Sequence, residues 1–160
     1  MRKTIWWSLI LLVFDLFPAV HAETWHWVSP LPTGNNITDV AWIGDRAWVV
    51  DDAGVVLRST DNGSSWIWQD TPIRVPRARM TFVDSLYGWV VGGVANSGEE
   101  ALIIHTSDGG INWVDQTPRM GRFNFQVDFV NRDMGWVLNQ VDYYDGPSRI
   151  LATTDGGSRW

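Results

Sequence analysis

One octet recurs three times at a fixed interval: STDNGSSW at 59–66, TSDGGINW at 106–113 and TTDGGSRW at 153–160. Its aspartates, Asp61, Asp108 and Asp155, are 47 residues apart both times, a regularity that chance does not give. A period of this size means one supersecondary unit repeated, each copy burying its apolar face against the next.

The material between the octets repeats too. WIGDRAWVV at 42–50, FVDSLYGWVVG at 82–92 and FVNRDMGWVLN at 129–139 share an opening aromatic, a polar turn, and a Trp that leads an apolar pair. Phe82 lies 16 residues past Trp66, and Phe129 lies 16 past Trp113. The stretch WHWVSP at 25–30 reads as the tail of a further octet, so the units run approximately over 25–66, 67–113 and 114–160. Length differences fall in 94–100 and 140–148, which are polar, contain Gly and lack apolar periodicity. They read as hairpin loops at the rim of the repeat.

Within a unit the apolar runs are short and rich in β-branched and aromatic residues: 81–83, 88–92, 101–106 and 112–115 in the second copy. No helical stripe follows residue 22. Four short strands per unit predict an all-β fold, a β-propeller of four-stranded blades, with a β-solenoid as the competitor. Solenoid rungs are shorter and lack a hairpin loop of this size. Three blades are fewer than the four to eight of a closed ring. The sequence is therefore expected to be part of a longer protein, the alternative being a partial propeller that closes by association with other copies.

The octet then has a structural task. Its Asp is placed to accept hydrogen bonds from its own turn, aided by a hydroxyl such as that of Thr106 or Ser107. Gly63, Gly110 and Gly157 supply the positive φ of a tight bend. Asn62 stands where the other copies have Gly, because Asn tolerates the left-handed region. Trp66, Trp113 and Trp160 follow as wedges that pack between sheets while each indole N–H seeks an acceptor. Trp27, Trp68, Tyr87, Tyr143 and Tyr144 are candidates for a binding rim, but packing between blades accounts for Trp27 and Trp68 more simply. These octets resemble Asp-box (BNR) repeats, and the wider unit is most similar to the photosystem II assembly and stability factor family known as Ycf48/Hcf136. The resemblance spans about residues 25–160. It implies a lumenal propeller without catalytic residues that docks assembly intermediates of photosystem II through a basic surface.

At the N-terminus, Arg2 and Lys3 precede an apolar run from Ile5 to Phe17, and small residues end at Ala22. This predicts a signal peptide over 1–22, leaving 23–160 as the partial propeller, with no integral membrane segment after cleavage. The run is shorter than a membrane span and holds Asp15. The expected location is periplasmic or extracellular, or the thylakoid lumen if the source is photosynthetic. A net charge of −6 disfavours nucleic acid as a general partner. With no Cys, no disulfide holds the fold, and its core must come from packing, for which twelve Trp are available.

Catalysis finds little support. Glycoside hydrolysis needs two carboxylates facing each other across the substrate, whereas Asp61, Asp108 and Asp155 are assigned to turns and Asp45, Asp84 and Asp133 to the bends before the Trp strands. Asp51-Asp52 and Glu99-Glu100 are left in loops with no positional reason to converge. Tyr143, Tyr144 and Asp145 suggest a sialidase in composition only. No catalytic residue, cofactor or metal site is therefore expected; His26 and His105 are isolated. Arginines are more telling. Arg74, Arg77 and Arg79 follow the first full octet, and Arg119 and Arg122 follow the second, in matching connections that a radial array brings to one face. Their guanidinium forks suit carboxylates on a protein partner, although connections are solvated in any case. The reading is an exported, non-catalytic protein-binding scaffold. The alternative is an Asp-box propeller of another role, such as a bacterial surface protein or a sialidase-like glycosidase whose catalytic blades lie elsewhere.

Overall fold

The computed structural model describes residues 33–93, 101–118, 121, 123–141 and 147–160. The predicted signal peptide, the 25–30 octet tail with Trp27, the loop at 94–100 with Glu99 and Glu100, and Tyr143, Tyr144 and Asp145 lie outside these residues.

Three antiparallel sheets follow one another along the chain. The first contains β1 (Ile37–Ile43), β2 (Arg46–Asp51), β3 (Val56–Ser59) and β4 (Ile67–Trp68). The second contains β5 (Arg79–Phe82), β6 (Gly88–Gly92), β7 (Leu102–Thr106) and β8 (Val114–Asp115). The third contains β9 (Phe123–Phe129), β10 (Gly135–Gln140) and β11 (Ser148–Thr153). Each is a meander in chain order, and no helix occurs among the described residues. Both predicted length variations fall between the second and third strands of a sheet, where a hairpin tolerates added residues.

The strands arise from short runs such as 88–92 that are apolar on both faces and are buried throughout. Such a strand needs cover on both sides, and neighbouring sheets give it. Val90 and Ile104 of the second sheet join Trp48, Val50 and Val56 of the first in one buried cluster with Met80 and Trp113. The other face of the same sheet, Trp89, Val91 and Ile103, meets Val127, Phe129 and Val137 of the third. β1 lies beside β5, and β5 beside β9, so the first strands of successive sheets are neighbours. The core is thus divided among interfaces between sheets stacked face to face, which is the arrangement of propeller blades, here three of them with an open ring.

A single joint is made twice. Trp48 of β2 stacks on Phe82 of β5 with ring centroids 3.9 Å apart, and Trp113 meets Phe82 edge-on at 6.3 Å. Trp89 of β6 repeats this on Phe129 of β9 at 3.5 Å, and Trp160 meets Phe129 edge-on at 6.0 Å. In each case the indole N–H of the strand Trp donates to the next blade's octet: Trp48 Nε1 to Gly109 O at 2.8 Å, Trp89 Nε1 to Gly156 O at 3.1 Å. Gly88 and Gly135 lie directly under the two Phe rings, where a Cβ would come within 2.4 Å of a ring carbon. A side chain at either position would displace the stack, which explains the Gly-Trp pair at the start of β6 and β10.

One expectation about the aromatics is corrected. Trp68, expected to pack between blades, is exposed on β4, because a two-residue outermost strand has no neighbouring sheet over it.

Candidate functional site

The three octets share one bonding scheme. The hydroxyl of Ser59, Thr106 or Thr153 donates to Oδ1 of the Asp two residues on, at 2.8, 2.9 and 2.9 Å. The hydroxyl oxygen of Ser59, Thr106 or Thr153 in turn accepts the N–H of Gly63, Gly110 or Gly157 at 2.8, 2.8 and 2.9 Å. Each Asp Oδ1 also accepts the backbone N–H four residues on, from Ser65, Asn112 or Arg159. Its Oδ2 takes the side chain of that same residue, at 2.6, 2.7 and 3.0 Å. Asn62 holds a φ of 56°, against 76° for Gly109 and 68° for Gly156, so the Asn fills the left-handed position as expected.

These bonds set the charge state. Asp61 is held down to about 2, first by the Ser65 hydroxyl, then by the Ser65 N–H and the Ser59 hydroxyl. At Asp108 burial pushes the carboxyl upward, but the Asn112 backbone and amide and the Thr106 hydroxyl outweigh it, and the net direction is down. Asp155 is lowered by the Arg159 N–H and then by its side chain. All three carboxylates are ionised and occupied by their own turns.

The acids before each Trp strand are also in use. Asp84 Oδ1 accepts the N–H groups of Leu86 and Tyr87, and its Oδ2 receives Arg132 Nε at 2.8 Å across the blade boundary. In the third blade Asn131, not Asp133, closes the corresponding bend by accepting the N–H groups of Asp133 and Met134. Asp51, left without a role by its sequence context, is fully buried. It accepts from the Thr33 hydroxyl, the Asn35 amide and the N–H groups of Ala53 and Val55. No group of three or more His, Asp or Glu side chains converges among the described residues.

Of the five arginines, Arg74, Arg77 and Arg79 can be placed; Arg119 and Arg122 lie outside the described residues. The 69–78 connection is anchored by Val75 and Ala78, both fully buried, while Arg74 and Arg77 are exposed. Gly54 approaches the backbone of Val75 so closely that a Cβ would come within 2.5 Å of its nitrogen. Arg77 has a φ of 52°, the left-handed region, and its N–H donates to Asp52 O at 3.3 Å. A non-glycine residue there costs about 1–2 kcal/mol and persists because its surroundings fix it. Arg79 differs: at the start of β5 its Nη1 donates to Thr38 O and Ala78 O at 3.0 and 3.1 Å, which ties the first strands of two blades together. Within the described residues, neither Arg74 nor Arg77 forms an ion pair.

Sequence reasoning did not single out the hydroxyl residue as the hub of each octet, the strand indoles that reach the next octet, or the role of Asp51. The first was signalled by Ser or Thr two residues before each Asp. The others bridge positions far apart in the chain.

No known family model matches the chain, and no curated protein matches it in sequence. Solved structures do. One described as YCF48 bound to D1 peptide aligns over 81% of this chain and 41% of its own, at 22% identity and a TM-score of 0.62. YCF48 from Cyanidioschyzon merolae aligns over 82% and 40%, at 22% identity and a TM-score of 0.61. The chain therefore spans about two fifths of the length of these proteins and shares their fold: three consecutive blades of an all-β propeller resembling YCF48.

Proposed function

We propose that this chain is part of an exported, non-catalytic propeller that binds another protein through the arginine-bearing connections between its blades, in the manner of a photosystem II assembly factor. The observation that carries the reading is the presentation of Arg74 and Arg77. Two exposed guanidinium groups that form no ion pair among the described residues stand on a connection pinned by Val75 and Ala78, in a chain where acids outnumber bases. Cations held on a fixed backbone lose little freedom on binding, so carboxylates of an extended partner segment would gain most of the interaction. The neighbouring YCF48 structure with a D1 peptide is a precedent, on the same fold, for a peptide ligand. Against catalysis stands the occupation of Asp61, Asp108 and Asp155 by their own turns, which leaves the repeated acids with structural work.

The test is capture from detergent-solubilised thylakoid membranes with the full chain and a variant carrying Arg74→Glu, Arg77→Glu, Arg119→Glu and Arg122→Glu. Arg79 is left in place because it bonds Thr38 O. The expected result is recovery of photosystem II intermediates by the parent chain and at least a tenfold loss by the variant, with an unchanged far-UV spectrum. Equal recovery by both proteins would retire the basic surface, and no recovery by either would retire photosystem II as the partner.

A further inference from the structure

The first octet differs from the other two at a position that changes its chemistry. Where the second and third have Asp-Gly-Gly, it has Asp61-Asn62-Gly63, and Asn62 is the one asparagine of the sequence that a glycine follows. In an Asn-Gly pair the glycine nitrogen has open access to the Asn side-chain carbonyl, because the following residue carries no side chain to shield it. Ring closure joins the Gly63 nitrogen to Asn62 Cγ and breaks the Cγ–Nδ2 bond. The Nδ2 group leaves as ammonia, carrying the proton that the Gly63 amide gives up, and a five-membered succinimide remains. Water then opens the ring at either carbonyl, to an aspartate or to an isoaspartate, with no oxidation or reduction.

The fold holds this reaction back. Asn62 and Gly63 both lie in the left-handed region, with φ of 56° and 79°. The Gly63 N–H donates to Ser59 Oγ at 2.8 Å in a buried bond, and that hydroxyl is fixed in turn by donating to Asp61 Oδ1 at 2.8 Å. Gly63 is itself buried, and a Cβ on it would stand 3.5 and 3.6 Å from the indoles of Trp42 and Trp66. To attack Asn62 Cγ, the Gly63 nitrogen must give up Ser59 and swing out of this place, so the turn has to open first. Asp108-Gly109 and Asp155-Gly156 could close the same ring only through a protonated acid, and both carboxylates are bound by the N–H groups of Asn112 and Arg159. We infer that Asn62-Gly63 is a modification site, converted to aspartate and isoaspartate at a rate set by opening of the first octet turn. An isoaspartate runs the main chain through the former side chain and lengthens it by a methylene between Ser59 and Gly63. The octet cannot then refasten in its original geometry, so the change is a one-way mark on chains whose first octet has opened.

Peptide mapping by mass spectrometry tests this on the full chain incubated at mildly alkaline pH. The folded parent is compared with the parent in urea and with the variants Ser59→Ala, Ser65→Ala and Asn62→Gly, each checked by its far-UV spectrum. Conversion at Asn62 should be at least tenfold slower in the folded parent than in urea, because only the open fraction reacts. Ser59→Ala releases the Gly63 nitrogen and should raise the folded rate at least fivefold. Ser65→Ala removes an exposed hydroxyl that donates to Asp61 Oδ2 at 2.6 Å. It should raise the rate by a smaller factor, and it reads the fastening of the turn if Ser59→Ala fails to fold. Asn62→Gly, which restores the residue of the other two octets, should abolish both the amide-to-acid mass change and the isoaspartyl peptide. No conversion of the parent in urea would overturn the site, and so would survival of the mass change in Asn62→Gly. Equal rates in the folded and urea-unfolded parent would overturn the control by the turn, as would folded serine variants that convert no faster than the parent.

Discussion

At the residue scale, the octet aspartate is a short-range fastener. It closes a loop to a residue four positions on, so the whole device fits within eight letters and can be read from sequence. Its energetics are tied to acid. The folded-state value of Asp61 is lowered from 3.8 to about 2, and those of Asp108 and Asp155 are lowered as well. A carboxyl depressed on folding stabilises the fold fully above its unfolded value and loses that contribution as pH falls through its folded one. The urea midpoint of the parent chain should therefore drop between about pH 4 and pH 2. The Asp61→Asn variant should show a shallower drop over the same range. Parallel curves would show that the carboxylate is not engaged in the folded form. The octet Trp is a second residue-scale test. Trp113 is buried, meets Phe82 and donates to Gly110 O at 3.1 Å. Trp113→Ala should cost roughly 3–5 kcal/mol by denaturant titration, and a cost below about 1 kcal/mol would contradict its burial.

Among elements, the strand that begins with Gly-Trp carries the coupling between blades. Its glycine admits the Phe ring, its indole stacks on that ring, and its N–H crosses to the next turn. Trp89→Phe keeps an aromatic in the stack but removes the donor to Gly156 O. It should destabilise by about 1–3 kcal/mol, from the lost hydrogen bond and the smaller ring together. Trp68→Phe, on an exposed outer strand, should stay within about 0.5 kcal/mol. Equal effects on the urea midpoint would show that the cross-blade bond contributes nothing. Arg79 belongs to this scale too, since it fastens β5 to β1 although its spacing grouped it with a docking surface.

For the whole molecule, what could be read from sequence was what is local. Strand positions, the turn chemistry of three octets and the hairpins that vary in length all depend on residues within a few positions of one another, and the period joined them into blades. What escaped is long-range. Trp48 and Gly109 are 61 residues apart, and Trp89 and Gly156 are 67 apart. Nothing in either neighbourhood says that an indole must reach a carbonyl there. Asp51 escaped for a related reason, since its partners Thr33 and Asn35 are 18 and 16 residues earlier. Trp68 was misplaced because composition does not distinguish a wedge between sheets from an aromatic on an outermost edge. Along the 69–78 connection the arginine spacing was legible in the sequence, while the buried anchors at Val75 and Ala78 emerged only from the fold.

The long reach of those indoles also bears on how the protein is made. Synthesis proceeds from the N-terminus, so Trp48 leaves the ribosome well before Gly109, its acceptor, has been translated. No blade can lock when it first emerges; each must wait, with an uncapped aromatic face, for the turn of its successor. The Trp48 and Trp89 joints can close only once the chain extends a further 61 and 67 residues.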